Sequence, residues 1–191
     1  RFQGPEWIPI ASGFSSMMWE HYSARELEAL FADHPILFPG YAPGDPRENR
    51  VERRPDLIAG VPYTDFWGCV WETTFTGMVG HVRNHPLTDL DAVSQFTPPD
   101  PDVSDGLLRL DWQAMREGVV AAKAADNLTW LGLPHGHTFL RLQDLVGFET
   151  LAYAMMDNDP RLWPVIEMIE RFNLELARRF VALAPDVMGI P

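Results

Sequence analysis

The 191-residue sequence predicts an α/β fold, namely the N-terminal part of a (β/α)8 TIM barrel with an inserted β-hairpin. Segment 127–133 is a short apolar run typical of a strand buried on both faces, and 186–190 is a second such run after a long helical pattern. No glycine-rich phosphate fingerprint follows either strand, which disfavours a dinucleotide-binding fold. A barrel needs about 250 residues. Because the chain stops at Pro191, directly after a strand, we expect 1–191 to be the N-terminal portion of one barrel domain.

The first sixty residues predict two short strands, a helix between them and a loop. Ser23 and Glu26 stand three residues apart before apolar positions at helical spacing, which is the capping-box signature of a helix start. Segments 7–10 and 35–38 are interpreted as the strands. Segment 41–60 is rich in Pro, Gly and charged residues and is therefore predicted to be a loop.

Strand-forming residues dominate 64–82, with Gly77 and Gly80 between them, and this pattern predicts a β-hairpin. We place it in an excursion of about 62–87 rather than in the barrel. An alternating strand would put one set of side chains on a single face, with Phe66 and Glu72 on the other. The shared face would carry Asp65, Trp67, Cys69 and Trp71.

The remaining elements are predicted helices. A short helix spans 88–96, and a longer helical pattern spans 105–126. A helical region after 138 is broken near Gly147, and Pro160 opens a helix that runs to about residue 184. Met155, Met156 and Met168 lie at helical core spacing, so packing is their favoured explanation.

Composition excludes several classes of protein. The formal net charge of −12, with no offsetting Lys/Arg run, disfavours nucleic-acid binding. The sequence contains no apolar run of eighteen residues, so no membrane span is predicted. The first residues lack the apolar core of a signal peptide. A single cysteine, Cys69, cannot form an internal disulfide, which fits a reducing cytoplasm. Seven Trp residues suggest an aromatic-lined cleft or a large interface.

The loop after predicted strand 127–133 carries the strongest candidates for catalysis. Barrel active sites form at the carboxyl ends of strands, where His135, His137 and Arg141 would lie. The two His residues could bind Zn or Fe, with Asp65, Cys69 or Glu72 as further ligand, or one could act as a general acid or base. Alternatively, a His here caps the next helix or bonds the backbone.

The other candidates are predicted to bind substrate. Arg141 could clamp a carboxylate or phosphate, or it could simply pair with Asp144 or Glu149. The hairpin cluster could be one wall of a pocket for a flat ligand, although a half-buried hairpin packed on the barrel would look the same. His81 and His85, near the end of the hairpin, are expected to be exposed. For Cys69 a buried, inert thiol is the default expectation. The predicted substrate-binding residues are Asp65, Trp67, Trp71, Glu72 and Phe139.

Segment 135–149 (His-Gly-His-Thr-Phe-Leu-Arg-Leu-Gln-Asp-Leu-Val-Gly-Phe-Glu), followed by Met156-Asp157, Pro160 and a long helix into 186–190, resembles the uroporphyrinogen decarboxylase superfamily. There a Gly-x-x-Phe/Trp loop precedes a helix, then Gly-x-Glu, then a Pro-led helix that runs into the next strand. Upstream, the chain is also similar to an uncharacterised branch of that superfamily. The similar residues are Asp65-Phe66-Trp67-Gly68, Trp71, Gly80, Pro86-Leu87 and Pro99-Asp100-Pro101.

The resemblance implies a barrel enzyme that acts on a small molecule. The Arg-Gln-Ala-Gly-Arg motif with which the decarboxylases grip their substrate is absent, and so is a tyrosine of their Pro-Trp loop. The resemblance therefore favours a corrinoid-linked methyltransferase, with zinc and a corrinoid protein as expected cofactor and partner and with the zinc ligands outside this chain. A decarboxylase, or a metal-dependent lyase or hydrolase, is the alternative.

A non-enzymatic alternative also stands. The Trp-rich hairpin could form an interface, which would make the chain a scaffold or oligomerisation module. A homodimer is compatible with either interpretation.

Overall fold

The computed structural model describes residues 16–38, 54–134 and 136–190, and they form a mixed α/β fold. The chain divides into two compact units. One comprises residues 1–63 and 72–81, and the other comprises 64–71 and 82–191. Predicted strand 7–10 and most of predicted loop 41–60 lie outside the described residues.

Two helices begin the described part of the first unit: α1 (Ser16–His21) and α2 (Ala24–Asp33). The capping box predicted for α2 is confirmed. The Ser23 hydroxyl accepts from the Glu26 backbone N–H at 3.4 Å, and the Glu26 carboxylate accepts from the Ser23 N–H at 2.9 Å. The apolar face of α2 buries Leu27 and Phe31.

The predicted strand 35–38 is wrong, because these residues form a turn. The Leu37 N–H donates to the His34 carbonyl at 3.0 Å, which closes the turn after α2. Pro35 has no N–H to give to a strand ladder. Apolar composition alone could not separate a strand from this turn.

The region of the predicted hairpin contains a three-stranded sheet of order β1-β2-β3, with β1 at Tyr63–Thr64, β2 at Val70–Glu72 and β3 at His81–Asn84. The strands are shorter than predicted, and residues 65–69 form a turn between β1 and β2. Within the first unit, the Gly77 N–H donates to the carbonyl of Leu57, in a 3-10 helix (Pro55–Leu57), at 2.9 Å.

The second unit shows the alternation of helices and strands that the sequence predicts. Its strands β4 and β5 pair in parallel, with Trp130 opposite Val187 and Gly132 opposite Gly189. Three helices connect the two strands, as a parallel pair requires. Asp89 and Asp111 cap the first two helical elements of the unit. In chain order the elements are a 3-10 helix (Leu90–Gln95), α3 (Trp112–Ala124), β4 (Trp130–Gly132), α4 (Phe139–Val146), α5 (Phe148–Met156), α6 (Leu162–Ala182) and β5 (Val187–Gly189).

A side-chain clasp fixes the register of β4 and β5 where the two strands begin. One carboxylate oxygen of Asp186 accepts from the Thr129 N–H at 2.9 Å and from its hydroxyl at 2.6 Å. The Val187 N–H donates to the Thr129 carbonyl at 3.1 Å. The hydrogen bonds that the Asp186 carboxylate accepts from the side chain and from the backbone of Thr129 lower the pKa of this carboxyl.

The core of the second unit lies along one face of α6, whose buried residues recur every three or four positions. Trp67 packs edge-on against Phe172, with 5.0 Å between ring centroids. Trp112 packs against Phe180 at 5.3 Å. The buried apolar residues of α6 are Leu162, Val165, Ile169, Phe172, Leu176 and Phe180.

The burial predicted for β4 and for two methionines of α5 is wrong. Strand β4 was predicted to be buried on both faces, but Trp130 is 70% exposed. Met155 and Met156 were predicted to pack in the core, but they are 53% and 78% exposed, because Leu151 and Ala154 form the buried side of α5. Helical spacing predicts which residues share a face, and it leaves open which face is buried. Among the described residues, no helix combines the length and the apolarity needed to cross a bilayer.

The predicted break near Gly147 is confirmed, since α4 ends and α5 begins there. Gly147 has φ +85° and ψ 145°, a conformation that is essentially restricted to glycine. A Cβ at this position would lie 3.2 Å from Cδ2 of the His85 ring. The angle between the two helices therefore depends on the absence of a side chain.

We expect Gly147→Ala to lower the free energy of unfolding by about 1–3 kcal/mol, because alanine is strained at this φ and ψ. Gly118→Ala is the matched control. Gly118 lies inside α3 with open space around its Cβ position, so alanine should stabilise by about 0.5–1 kcal/mol. Urea unfolding of both variants measures the difference in their free energies of unfolding, and equal effects of the two changes would refute the strain expected at position 147.

Candidate functional site

The carboxylate of Asp65 is fully buried and accepts four hydrogen bonds. One oxygen accepts from the backbone N–H groups of Trp67 and Cys69, both at 2.9 Å. The other accepts from the Trp71 indole N–H at 2.9 Å and from Nη1 of Arg141 at 3.0 Å. A buried charge is tolerated only when it is paired and hydrogen-bonded, and this one is both.

The turn 65–69 and the first two residues of β2 form around this side chain. An Asp that accepts from the N–H two residues later makes an Asx turn, and Asp65 also reaches the N–H four residues later. Gly68 has φ +83° at the tip of the turn. As predicted, alternate side chains share one side, and Trp67, Cys69 and Trp71 are all buried there. The turn produces this alternation without a continuous strand.

Arg141 connects the turn to α4. Its guanidinium pairs with Asp65 at 3.0 Å and with Asp144, one turn along the helix, at 3.7 Å. Its Cζ lies 6.0 Å from the centroid of the Trp67 ring, where a cation–π interaction adds to the pairing. The ion pair with Asp144 was one of the predicted alternatives, and the shorter one with Asp65 was not predicted.

The backbone carbonyl oxygen of Asp144 has two side-chain hydrogen-bond partners. Cys69 Sγ lies 3.4 Å from this oxygen, and His85 Nδ1 lies 2.7 Å from it. The expectation that His85 is exposed is wrong, because this bond holds the ring in a half-buried position. Burial raises the pKa of the Asp144 carboxyl to about 6. Arg141 opposes the rise, Asp65 adds to it and His85 opposes it.

Cys69 is fully buried, as expected. Burial and then the charge of Asp65 raise the pKa of its thiol far above the usual range. The thiol therefore stays protonated, and a protonated thiol is a poor nucleophile.

The other predicted site residues are less closely associated with this cluster. His137 is half-buried, with Nδ1 2.8 Å from the Thr138 hydroxyl, and its carbonyl accepts from Asn173 at 2.7 Å. Phe139 is half exposed at the start of α4, and Glu72 is exposed at the end of β2. His135 lies outside the described residues. The structure thus brings Asp65, Trp67, Trp71 and Arg141 together, while their role in substrate binding remains a prediction.

A separate cavity of about 430 Å³ opens beside β4 and β5. None of the described residues that line it is charged, and two of them are glycines. A Cβ on Gly189 would lie 2.8 Å from the Trp130 indole nitrogen, so this side chain lies directly over the glycine. The lining residues are Trp130, Gly132, Leu133, Gly189 and Ile190.

The positions of the described side chains decide whether they could hold a metal ion together. Within residues 16–38, 54–134 and 136–190, no three His, Cys, Asp or Glu side chains lie close enough together to hold a metal ion. The predicted metal pair of His135 and His137 stays a prediction, because His135 lies outside the described residues.

Asp144 was predicted as a partner of Arg141, but the contacts of its backbone carbonyl with Cys69 and His85 were not predicted. The signal for Asp144 was its position three residues after Arg141, which places both on one face of α4. For His85 we find no signal, because its partner is a backbone carbonyl 59 residues away.

Comparison with models of protein families, with curated proteins and with solved structures finds no match to this chain.

We expect Asp65→Asn to lower the free energy of unfolding by about 3–5 kcal/mol, because it leaves a buried guanidinium without its closest charge partner. Asp91→Asn is the control. Asp91 pairs with Arg161 at 3.1 Å on the surface, where a pair contributes about 0–1 kcal/mol. Denaturant unfolding compares the two, and a small effect at Asp65 would show that the buried pair is dispensable.

The raised pKa of Asp144 predicts a pH effect on stability. The folded value of about 6 lies above the ordinary value of 3.8, so folding takes up a proton between these pH values. The contribution of Asp144 to the free energy of unfolding should therefore fall as pH rises from 4 to 6. Asp144→Asn should be more stable than wild type above pH 7, by up to about 3 kcal/mol, and should match it near pH 4. A stability difference that is constant from pH 4 to 8 would contradict this assignment.

Proposed function

We propose that the chain is part of a cytoplasmic enzyme of the uroporphyrinogen decarboxylase-like superfamily, built on a TIM barrel, that acts on a small molecule. The reaction that we propose is methyl transfer linked to a corrinoid protein. One observation carries the proposed location of the site. Strands β4 and β5 run in parallel, and a cavity large enough for a small molecule opens beside them.

The parallel pair supports an α/β barrel as the parent architecture. A parallel pair that is connected through helices is the repeating unit of such barrels. In parallel α/β folds, ligands bind where the strands end. Leu133 follows β4 and Ile190 follows β5, and both line the cavity. The proposal therefore places the substrate at this end of the strands.

The size and chemistry of the cavity fit a small, uncharged part of a substrate. About 430 Å³ falls within the range of about 300–1,000 Å³ for small-molecule sites. Apolar walls with a few polar groups nearby are typical of such sites. His137 lies four residues after the lining residue Leu133.

His137 is the proposed general acid or base, because imidazole titrates near neutral pH. Its Nδ1 lies against the Thr138 hydroxyl, and Asn173 holds its backbone carbonyl. These contacts hold the ring in place, and we propose that Nε2 exchanges the proton with substrate. For Arg141 the ion pairs with Asp65 and Asp144 favour a positioning role, with the carboxylate clamp as the untested alternative.

The expected zinc gains no support from the described side chains, because they assemble no three-ligand group. No step of the proposal is therefore assigned to a metal. Methyl transfer rests on the sequence resemblance, and a corrinoid would supply or accept the methyl group.

The reaction can be tested with the purified enzyme that contains this chain, methylcobalamin and a panel of small thiol and amine acceptors. We expect loss of the methylcobalamin absorbance together with a methylated product detected by mass spectrometry. His137→Ala should reduce the rate by about 10²-fold or more, the size of a general acid–base contribution. The control is His81→Ala, which removes an exposed imidazole from β3. Absence of product with every acceptor would refute methyl transfer.

The location of the site can be tested separately from the reaction. Gly189→Ala adds a methyl group beneath the movable Trp130 side chain and should narrow the cavity without breaking the strand pair. A Cβ on Gly132 would lie 2.5 Å from the Gly189 carbonyl oxygen, so Gly132→Ala should break the pairing and lower stability. We expect Gly189→Ala to weaken substrate binding at unchanged thermal stability. Unchanged binding in this variant would place the site elsewhere.

A further inference from the structure

The cavity beside β4 and β5 is lined partly by backbone instead of side chains. Gly132 and Gly189 are paired across the two parallel strands, and both line the cavity. Side chains alternate between the two faces of a strand, so Trp130, two residues before Gly132, lies on the same face. We call the glycine pair the glycine floor. It gives this face of the strands a flat stretch with an indole at one end.

The indole of Trp130 lies over one residue of the glycine floor. A Cβ on Gly189 would lie 2.8 Å from Nε1, 3.3 Å from Cε2 and 3.4 Å from Cζ2 of the indole, so the ring occupies the space that a side chain would fill. The residue is nevertheless 70% exposed, which leaves on the order of 150 Å² of mostly apolar surface in water. A ligand that covers this ring removes that surface from water, which favours binding.

The lining of the cavity selects against a charged ligand. None of the described lining residues is charged, and the two that follow the strands, Leu133 and Ile190, are aliphatic. The Gly189 carbonyl already accepts from the Leu133 N–H at 3.1 Å. A charged group that moved here from water would lose hydration without gaining an ion pair from these residues, which is unfavourable. The cavity therefore favours an uncharged, mainly apolar ligand.

We propose that this cavity binds a flat, uncharged aromatic ring of the substrate, which packs against the Trp130 indole and the glycine floor. The inference rests on the proposed function, which makes this cavity the substrate site. Aromatic pairs gain affinity beyond the area that they bury. A flat ring can also contact a floor without side chains closely, whereas a puckered aliphatic ring leaves gaps that forfeit dispersion contacts. Trp130 is thus the residue that determines the class of ligand.

The first experiment compares two uncharged alcohols with the same carbon skeleton, aromatic 2-naphthol and saturated decahydro-2-naphthol. Each is titrated into the enzyme that contains this chain, and NMR measures the dissociation constant. We expect 2-naphthol to bind roughly 5–10-fold more tightly, and Trp130→Leu to remove that preference by weakening 2-naphthol alone. Trp163→Leu is the matched control. Trp163 is 63% exposed on α6 and does not line the cavity, so its substitution should change neither affinity.

The second experiment locates the bound ring. In enzyme labelled with fluorotryptophan, the fluorine NMR signal that is lost in Trp130→Leu belongs to Trp130. Added 2-naphthol should shift this signal and leave the signal of Trp163 in place. We expect Trp130→Leu to keep the thermal stability of the wild type, because most of the side chain is exposed.

Equal affinity for the two alcohols, or 2-naphthol binding that Trp130→Leu leaves unchanged, would overturn the ring site. So would a large loss of stability in Trp130→Leu together with no binding by the wild type, because Trp130 would then be covered by protein. The proposed reaction fails in a different way. Ring binding at Trp130 without methyl transfer to any acceptor supports the ring site and overturns the reaction, whereas methyl transfer that Trp130→Leu does not affect overturns the ring site alone.

Discussion

The carboxylate of Asp65 is the group around which the second unit is organised. A charge taken out of water costs several kcal/mol, and that cost is offset only when nearly every lone pair is occupied. Four donors occupy the lone pairs of Asp65: two from its own turn, one from an indole and one from a guanidinium on α4. If the turn unfolded or α4 moved away, the charge of Asp65 would lose hydrogen-bond partners inside an apolar interior.

The same constraint explains the chemistry of the neighbouring groups. Arg141 is shared between two carboxylates, and the closer one, Asp65, is the better placed. Burial raises the pKa of the Asp144 carboxyl to about 6, and the more distant Arg141 offsets only part of that rise. The Asp144 backbone carbonyl is also the hydrogen-bond partner of the Cys69 and His85 side chains. Through this one residue, α4 is connected to the turn and to the residue that follows β3. The cluster is polar inside an apolar core, and its groups satisfy one another.

The core and the candidate active site occupy different parts of the second unit. Trp67 joins the buried cluster to the aromatic core through Phe172 on α6. The cavity beside β4 and β5 depends on a different contact, the Thr129–Asp186 clasp, which fixes the register of the two strands. The predicted substrate residues Asp65 and Trp71 therefore sit in the supporting core, while His137 follows the strand that lines the cavity.

Local patterns in the sequence predicted the local structure well. The capping box at Ser23, the helix break at Gly147 and the positions of β4 and β5 along the chain depend on residues that are close in sequence, and all are confirmed. The alternate burial of residues 65–71 was also predicted, because a period of two is visible in the sequence whether a strand or a turn produces it. The failures were of another kind. The turn at 35–38 and the exposed Trp130 depend on what surrounds a segment rather than on its composition.

By itself the sequence determined the α/β class, the main helices and the acidic, apolar-rich character of the chain, because these follow from composition and from periods of a few residues. Only the tertiary structure decided that Arg141 pairs with Asp65, which precedes it by 76 residues. It also decided that Phe148, Met155 and Met156 of α5 are exposed. The physical reason is that charge pairing and burial are properties of neighbours in space, and folding brings together side chains whose separation along the chain carries no signal.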